Sequence, residues 1–265
     1  MANSPDAESS NPIVVPLDGS ELAERAVAVA AASNRSLRLM RADHDHAAVE
    51  ARTYLDSTAG FIDGVDVDQQ VILDREAADS IVLAAGSGLV CMATHGRRGP
   101  TRSLLGSVAA DVLARVTGPV IVVGPHVRTW ARSNGGTVVA AVESGTAGDS
   151  VAKAAASFAL ERGAGLALLQ VHRPMPDVIA AGADAPDTGW LETTVARLSD
   201  RLPCRGISER GSDPASVLVD CTDEIAATWA VVHYERPHRL GGSVALAAVR
   251  HLRCPLLVLA TEKQP

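Results

Sequence analysis

Met92-Ala93-Thr94-His95-Gly96, nine residues, then Gly106-Ser107-Val108: the reading of this stretch decides the fold. An apolar run, Leu89 to Ala93, leads into it, and an amphipathic segment beginning at Ser107 leads out. The order is strand, glycine-bearing loop, helix start. Such a loop aims backbone N–H groups and a helix N-terminus at an anion, a phosphate group above all. Gly106 has no Cβ to hold a ligand away. Ser107 is expected to cap the helix and to offer its hydroxyl to a phosphate oxygen.

Two further segments extend the pattern. Ile13-Val14-Val15-Pro16-Leu17-Asp18-Gly19-Ser20 is a short buried-strand run ending in turn and cap residues, and Leu22, Ala26, Val29 and Ser33 follow at helical spacing. Thr117-Gly118-Pro119-Val120-Ile121-Val122-Val123 is a breaker pair followed by a wholly apolar strand. Together these resemble the universal stress protein family, whose domains open with a strand ending in Asp and close with a Pro-Val-type strand. The family's nucleotide motif is Gly-x2-Gly-x9-Gly-Ser/Thr. Ala93, Gly96, Gly106 and Ser107 occupy its four fixed places, and three of the four match.

The resemblance implies a site. Asp18, with Pro16 and Leu17, is expected against an adenine ring. Met92 and Ala93 lead into the loop, Gly96, Gly106, Ser107 and Val108 are expected to hold phosphates, and Arg97 to supply positive charge. Two positions depart from the family pattern. Ala93 adds a methyl group where the first Gly stands, and Arg41 ends the second strand where a small apolar residue is usual, so its guanidinium either stacks on the base or fills part of the pocket. The implied ligand is ATP, with Mg²⁺ only as a counter-ion of its phosphates. The implied role is regulatory, in stress response and with unidentified protein partners, with slow hydrolysis at most. The alternative on the same fold is a nucleotide-free scaffold or signalling module, for which Ala93 and Arg41 speak.

Composition narrows the classes. The chain has 265 residues, 47 % hydrophobic but only 3 % aromatic, so its cores must be built from Ala, Val, Leu and Ile. A formal charge of −7 and the absence of a basic patch argue against a nucleic-acid binder. No apolar run approaches the roughly 18–20 residues that span a bilayer. Residues 1–11 are polar and acidic, and are expected to be a disordered tail rather than a secretory leader. Cys91, Cys204, Cys221 and Cys254 show no C-x-x-C pairing, which fits free thiols in a reducing cytoplasm. His44 and His46 alternate with Asp43 and Asp45; with no further Cys or His cluster nearby they read as a solvated loop, not a metal site. No Walker A motif or Gly-x-Ser-x-Gly elbow is present, so the sequence predicts no catalytic set.

The chain repeats itself. Thr137 to Gly145 echoes the opening strand with Glu143 in the place of Asp18, Gly241-Gly242-Ser243-Val244 echoes Gly106-Ser107-Val108, and Arg253 to Leu259 echoes the closing strand. The offset grows from 125 at Glu143 to 136 at Ser243, a net insertion of 11 expected around Pro174 to Trp190. Counting back nine from Gly242 puts Val232 and Trp229 in the glycine places, so the second copy is expected to be degenerate. The resulting division is 12–126, a linker at 127–136, and 137–265. Strands that are apolar throughout, alternating with helical patterns, predict an α/β fold: two tandem open parallel sheets with helices on both faces. The resemblance implies that this fold is Rossmann-like and similar to the adenine nucleotide α-hydrolases. In the first copy strands are expected near 12–17, 36–41, 66–73, 88–93 and 119–123. The resemblance implies pairing of the two closing strands in an internal pseudo-dimer, with further homodimerisation left open.

Overall fold

Short runs of β-branched and aliphatic residues form the central strands, more polar runs form the outer strands β3 and β8, and amphipathic helices lie between them. The computed structural model describes residues 11–96, 105–127, 135–173, 188–236 and 244–262. The first half runs β1 (Ile13–Pro16), α1 (Glu21–Ala31), β2 (Leu37–Asp43), a turn of 3₁₀ helix at Asp45–Ala47, α2 (Ala48–Ala59), β3 (Val67–Leu73), α3 (Ala77–Ala85), β4 (Val90–Ala93), α4 (Ser107–Arg115) and β5 (Val120–Val123). The second repeats the order: β6 (Thr137–Val142), α5 (Thr146–Glu161), β7 (Gly165–His172), α6 (Gly189–Ser199), β8 (Cys204–Arg210), α7 (Pro214–Glu224), β9 (Trp229–Arg236), α8 (Val244–Val249) and β10 (Leu256–Glu262).

All ten strands lie in one sheet of order β3-β2-β1-β4-β5-β10-β9-β6-β7-β8. Pairing is parallel within each half and antiparallel only at the join, where Leu256, Leu257 and Val258 face Val122, Ile121 and Val120. The expected meeting of the closing strands is thus observed. Alternate residues of each strand feed two cores, one on either face. One holds Val15, Leu39 and Cys91 of the first half with Val138, Leu168 and Val231 of the second; the other holds Val14, Met92 and Val122 with Val139, Leu169 and Val258. Each core runs across the join.

Strand registers align the copies residue by residue. Val14 corresponds to Val139, Leu37 to Leu166, Val67 to Cys204, Val90 to Ala230 and Val120 to Leu256. The insertion is therefore not one block around Pro174 to Trp190. The largest share falls between β7 and β8, but α5 is also longer than α1, and the connection from β9 to β10 is shorter than that from β4 to β5. Trp229 is likewise no loop residue. It opens β9, is 2 % exposed, and packs edge-to-face on Phe158 at 5.0 Å between ring centroids.

One cation sits in this interior. Arg162, which caps the C-terminus of α5, is 6 % exposed, with its guanidinium 3.6 Å from the Phe158 centroid and 4.8 Å from that of Trp229. Burial lowers its pKa to about 10, so it is charged at neutral pH, where the aromatic faces offset part of its lost hydration. Burial also pushes the Cys91 thiol up, and that of Cys254 up to about 12, so both are neutral and pack as small hydrophobes.

Two outcomes test the join. Val120 to Val123 and Leu256 to Val258 are at most 3 % exposed, and burying such a side chain is worth about 1.5–3 kcal/mol. Each half expressed alone leaves that strand as an open apolar edge and should self-associate or precipitate; two monodisperse monomeric halves in sedimentation would contradict this. At Gly124, just past β5, a Cβ would collide with the backbone carbonyl of Val249 in α8. Gly124→Ala should cost about 1–3 kcal/mol in urea unfolding through overpacking. Gly60→Ala, where a Cβ would meet nothing closer than 3.5 Å, should be near neutral.

Candidate functional site

The carboxyl ends of β1 and β4, neighbours in the sheet, bring the opening turn and the glycine-bearing loop together. Gly19, at φ 83°, turns the chain in the left-handed region open to glycine. Ser20 is the N-cap of α1: its Oγ accepts from the Ala23 N–H at 3.3 Å and donates to Asp18 Oδ1 at 2.7 Å. The Ser20 N–H also donates to Asp18 Oδ1, at 3.0 Å. Asp18 is thus held in an Asx-type turn while its second oxygen, Oδ2, faces Gly96, where a Cβ would collide with it. The structure brings Asp18 and Gly96, 78 positions apart, into contact.

The loop is folded back on its own strand. The Thr94 N–H donates to the Val123 carbonyl at 3.0 Å, and the Gly106 N–H donates to the Thr94 carbonyl at 2.8 Å. A Cβ on Gly106 would lie 3.0 Å from that same carbonyl oxygen. Thr94 and His95 are buried, with His95 Nδ1 3.1 Å from Thr94 Oγ1. Close approach, not a special φ, is what demands glycine at 106, whose backbone is extended at φ −65°, ψ 152°.

That geometry corrects one expectation. The N-cap of α4 is Gly106, and Ser107 is the first helical residue with an exposed side chain. A capping residue needs extended dihedrals, which Gly106 has and Ser107 does not. The N-cap glycine brings no capping side chain of its own, so the first N–H groups of α4 have no partner in the helix itself, and the positive end of its dipole lies by Thr94 and His95, whose backbone a Cβ on Gly106 would meet. Val108, 37 % exposed, flanks the opening.

The other expected residues divide. Pro16 closes β1 half-buried; Leu17 is buried in the core and donates its N–H to the Met40 carbonyl at 2.8 Å. Ala93 ends β4 half-buried against one core. Met92, 4 % exposed, points into the opposite core and only its backbone borders the loop. Arg41 does not end its strand, since β2 continues to Asp43. Its Nε pairs with Asp43 Oδ2 at 2.9 Å and its guanidinium lies 5.1 Å from the Tyr54 ring centroid on α2, so it is spoken for by its neighbours. Arg97 lies outside the described residues, as do Gly242 and Ser243. Ser20 was legible as a cap but its hold on Asp18 was not; a hydroxyl two residues after the Asp was the available signal.

His44 and His46 stack at 5.7 Å, and His44 Nδ1 lies 3.5 Å from Asp74 Oδ1. Among the described residues no group of three or more His, Cys, Asp or Glu side chains is placed to hold a metal. No described helix is long and apolar enough to cross a membrane.

In the second half, register places His233 opposite the Ala93 position and Arg236 opposite that of Gly96, both inside β9. This replaces the counted assignment to Trp229 and Val232, which assumed an unchanged nine-residue spacing. Glu143 stands for Asp18 and Gln170 for Arg41. Glycine is absent at both places of the loop that lie within the described residues.

A prediction follows from the Asp18–Gly96 contact. Gly96→Ala should push the carboxylate off its two Ser20 bonds and cost about 1.5–3 kcal/mol, the range for bonds to a charged group. In an Asp18→Ala background the same change should cost less than about 0.5 kcal/mol. Equal costs in both backgrounds, by thermal or urea unfolding, would show that the contact carries no energy.

Comparison with known proteins places this architecture. The model of the universal stress protein family matches residues 36–124 and 136–260. A universal stress protein of Mycobacterium tuberculosis is 34 % identical over 138 residues, which span 44 % of this chain and 46 % of the relative's length. The crystal structure of a universal stress protein from Archaeoglobus fulgidus superposes with a TM-score of 0.74 at 18 % identity, over 95 % of this chain and 98 % of that one. A protein of Pseudomonas aeruginosa described as functionally unknown superposes at 0.66, again 18 % identical, over 97 % and 95 %. The chain belongs to the universal stress protein family.

Proposed function

We propose that this universal stress protein binds one adenine nucleotide, ATP, in its first half, and acts as a regulatory protein in stress response rather than as an efficient catalyst. The observation that carries the reading is the convergence of Asp18, Gly96 and the N-terminus of α4, whose N-cap glycine brings no side chain, at the carboxyl ends of β1 and β4. A helix N-terminus with no capping side chain attracts phosphate oxygens. A carboxylate repels them, so the Asp18 side sets the direction: base and ribose toward β1 and β2, phosphates toward Ser107 and Val108. Mg²⁺ enters with the phosphates as their counter-ion, coordinated by them and by water. The free thiols and their raised pKa values fit a reducing cytoplasm.

Arg41 is tied to Asp43 and Tyr54, which favours its role as a wall of the pocket over one as a stacking partner. The second half lacks the loop glycines and is assigned a structural or regulatory part. The alternative, a nucleotide-free scaffold for protein partners, makes the opposite forecast in the same experiment.

Calorimetric titration with Mg²⁺–ATP should give a stoichiometry near one per chain. Each charge-assisted phosphate bond is worth about 1.5–3 kcal/mol. Gly106→Val, which fills the space beside the Thr94 carbonyl and displaces the start of α4, should weaken binding by two orders of magnitude or more. Gly242→Val should leave it within about twofold, since that residue lies in the half assigned no nucleotide. A stoichiometry of two, or equal losses from both changes, would assign the second half a nucleotide as well. No heat, together with no nucleotide carried by the freshly purified protein in mass spectrometry, would leave the scaffold reading standing.

A further inference from the structure

The sheet has two outer strands, β3 and β8, and they are not alike. β8 carries Arg205, Glu209 and Arg210, charges of the kind by which an edge strand resists pairing. β3, which reads Val67-Asp68-Gln69-Gln70-Val71-Ile72-Leu73, has no Lys, Arg or Pro. Its one charge, Asp68, is matched by Arg38 Nε on β2 at 2.8 Å. All seven residues keep an unbroken register with Leu37–Asp43, so no bulge twists the edge away. Among the described residues β2 alone pairs with β3. Exposed apolar side chains gather on the segment around it, where α2 packs against β2 and β3. Val49 on α2 is 79 % exposed, Phe61 between α2 and β3 is 86 % exposed, and Leu73 at the end of β3 is 36 % exposed.

Hydrogen-bond parity fixes which backbone groups this edge offers. The Leu37 N–H donates to the Asp66 carbonyl and the Asp74 N–H to that of Asp43, so the even-numbered residues of β3 face β2. Val67, Gln69, Val71 and Leu73 therefore turn their N–H and C=O groups outward. Asp68 Oδ1 accepts from the Gln69 N–H at 2.8 Å; the other three N–H groups and all four carbonyls point past the edge of the sheet. One antiparallel register between two copies engages all four residues. Its two-fold axis passes through Gln70, pairing Val67 with the partner's Leu73 and Gln69 with the partner's Val71. No like charges meet within it, because Asp68 lies opposite the partner's Ile72. On the axis the two Gln70 residues form a non-hydrogen-bonded pair, with Cα atoms only about 4.5 Å apart, so each amide reaches the other. Gln70 Oε1 is buried in the single chain without a partner, and that contact supplies one. Pairing ends where the strand does, since Asp74, at φ 52°, turns the chain off its axis. We infer that β3 is a homodimer interface, at which two copies of this chain join edge to edge and double the ten-stranded sheet. The chain already closes one apolar edge by antiparallel pairing, at β5 and β10. The inference does not rest on nucleotide binding in the first half.

Sedimentation of the full chain at tens of micromolar tests this and should give twice the mass of one chain. Gln70→Lys and Gln70→Glu each set like charges against one another across the axis, so each alone should weaken the dimer at least tenfold and sediment as a monomer. An equal mixture of the two should recover the doubled mass, because opposite charges then face each other. A folding defect would not be rescued by mixing. Val71→Pro removes an outward N–H while leaving the ladder to β2 intact, and should also dissociate the dimer. Ser208→Pro is the matching change on β8, where the Gly211 N–H donates to the His172 carbonyl and the even-numbered residues face outward; it should leave the mass doubled. A parent chain of single mass throughout would overturn the inference and leave the β3 edge to an extended peptide of another protein. A mixture no heavier than its two components, or equal dissociation by Ser208→Pro, would overturn it too.

Discussion

Everything in this molecule hangs on three antiparallel residue pairs, Val122–Leu256, Ile121–Leu257 and Val120–Val258. A parallel five-strand unit ends in an edge, and β5, four residues of Val and Ile, is too apolar to remain one. Joining it to β10 removes that edge from both halves at once and lets both cores run through. Because the join is antiparallel, the carboxyl ends of the strands point opposite ways in the two halves. Their clefts are therefore separated by the width of the sheet. The second half is needed to hold the first together whatever it binds, which frees its loop from having to hold a phosphate.

The glycines of the first site illustrate how a binding motif is also a folding requirement. Gly19 answers a left-handed φ, Gly96 makes room for a carboxylate, and Gly106 makes room for a carbonyl. None of these reasons invokes a ligand. What the three leave behind is a helix start whose N-cap residue has no side chain and an acid held by the Ser20 hydroxyl and N–H. A nucleotide bound as proposed would meet those groups already placed by the fold, which spares part of the ordering cost of binding.

What the sequence made legible follows from which physical signals are local. The first-half strands were readable to within about two residues: β1, β4 and β5 are unbroken apolar runs bounded by Pro, Gly or Asp, while β2 and β3, toward the edge of the sheet, mix in polar residues. The meeting of β5 with β10 was readable through the family resemblance. The cap at α4 was not, because Gly106 and Ser107 differ in dihedral angles that neither residue type dictates. Arg41 was misplaced because β2 runs two residues further, and because which neighbour claims a long cation is decided across elements, here by Tyr54 of α2. Counting failed in the second copy for a related reason. A fixed spacing was carried across, whereas hydrogen-bond register, a long-range property, shows β9 continuing through the places once held by the loop.

The two copies finally differ in how they secure the same turn. After β1, a charged group does it: Ser20 closes on the Asp18 carboxylate, whose other oxygen is left facing the loop. After β6, a neutral amide does it. Gln170 reaches from the neighbouring strand to Ser144, Gly145 takes the left-handed φ at 92°, and Gly148 yields its Cβ space to the Glu143 carbonyl. The first arrangement places a fixed negative charge beside a helix dipole and so has a polarity that can orient an anionic ligand end to end. The second closes its turn with a neutral amide–hydroxyl bond, so it places no fixed carboxylate in that turn. One backbone repeat, duplicated, thus secures the same turn in two ways, and the difference is set by the replacement of a carboxylate turn with an amide borrowed from the next strand.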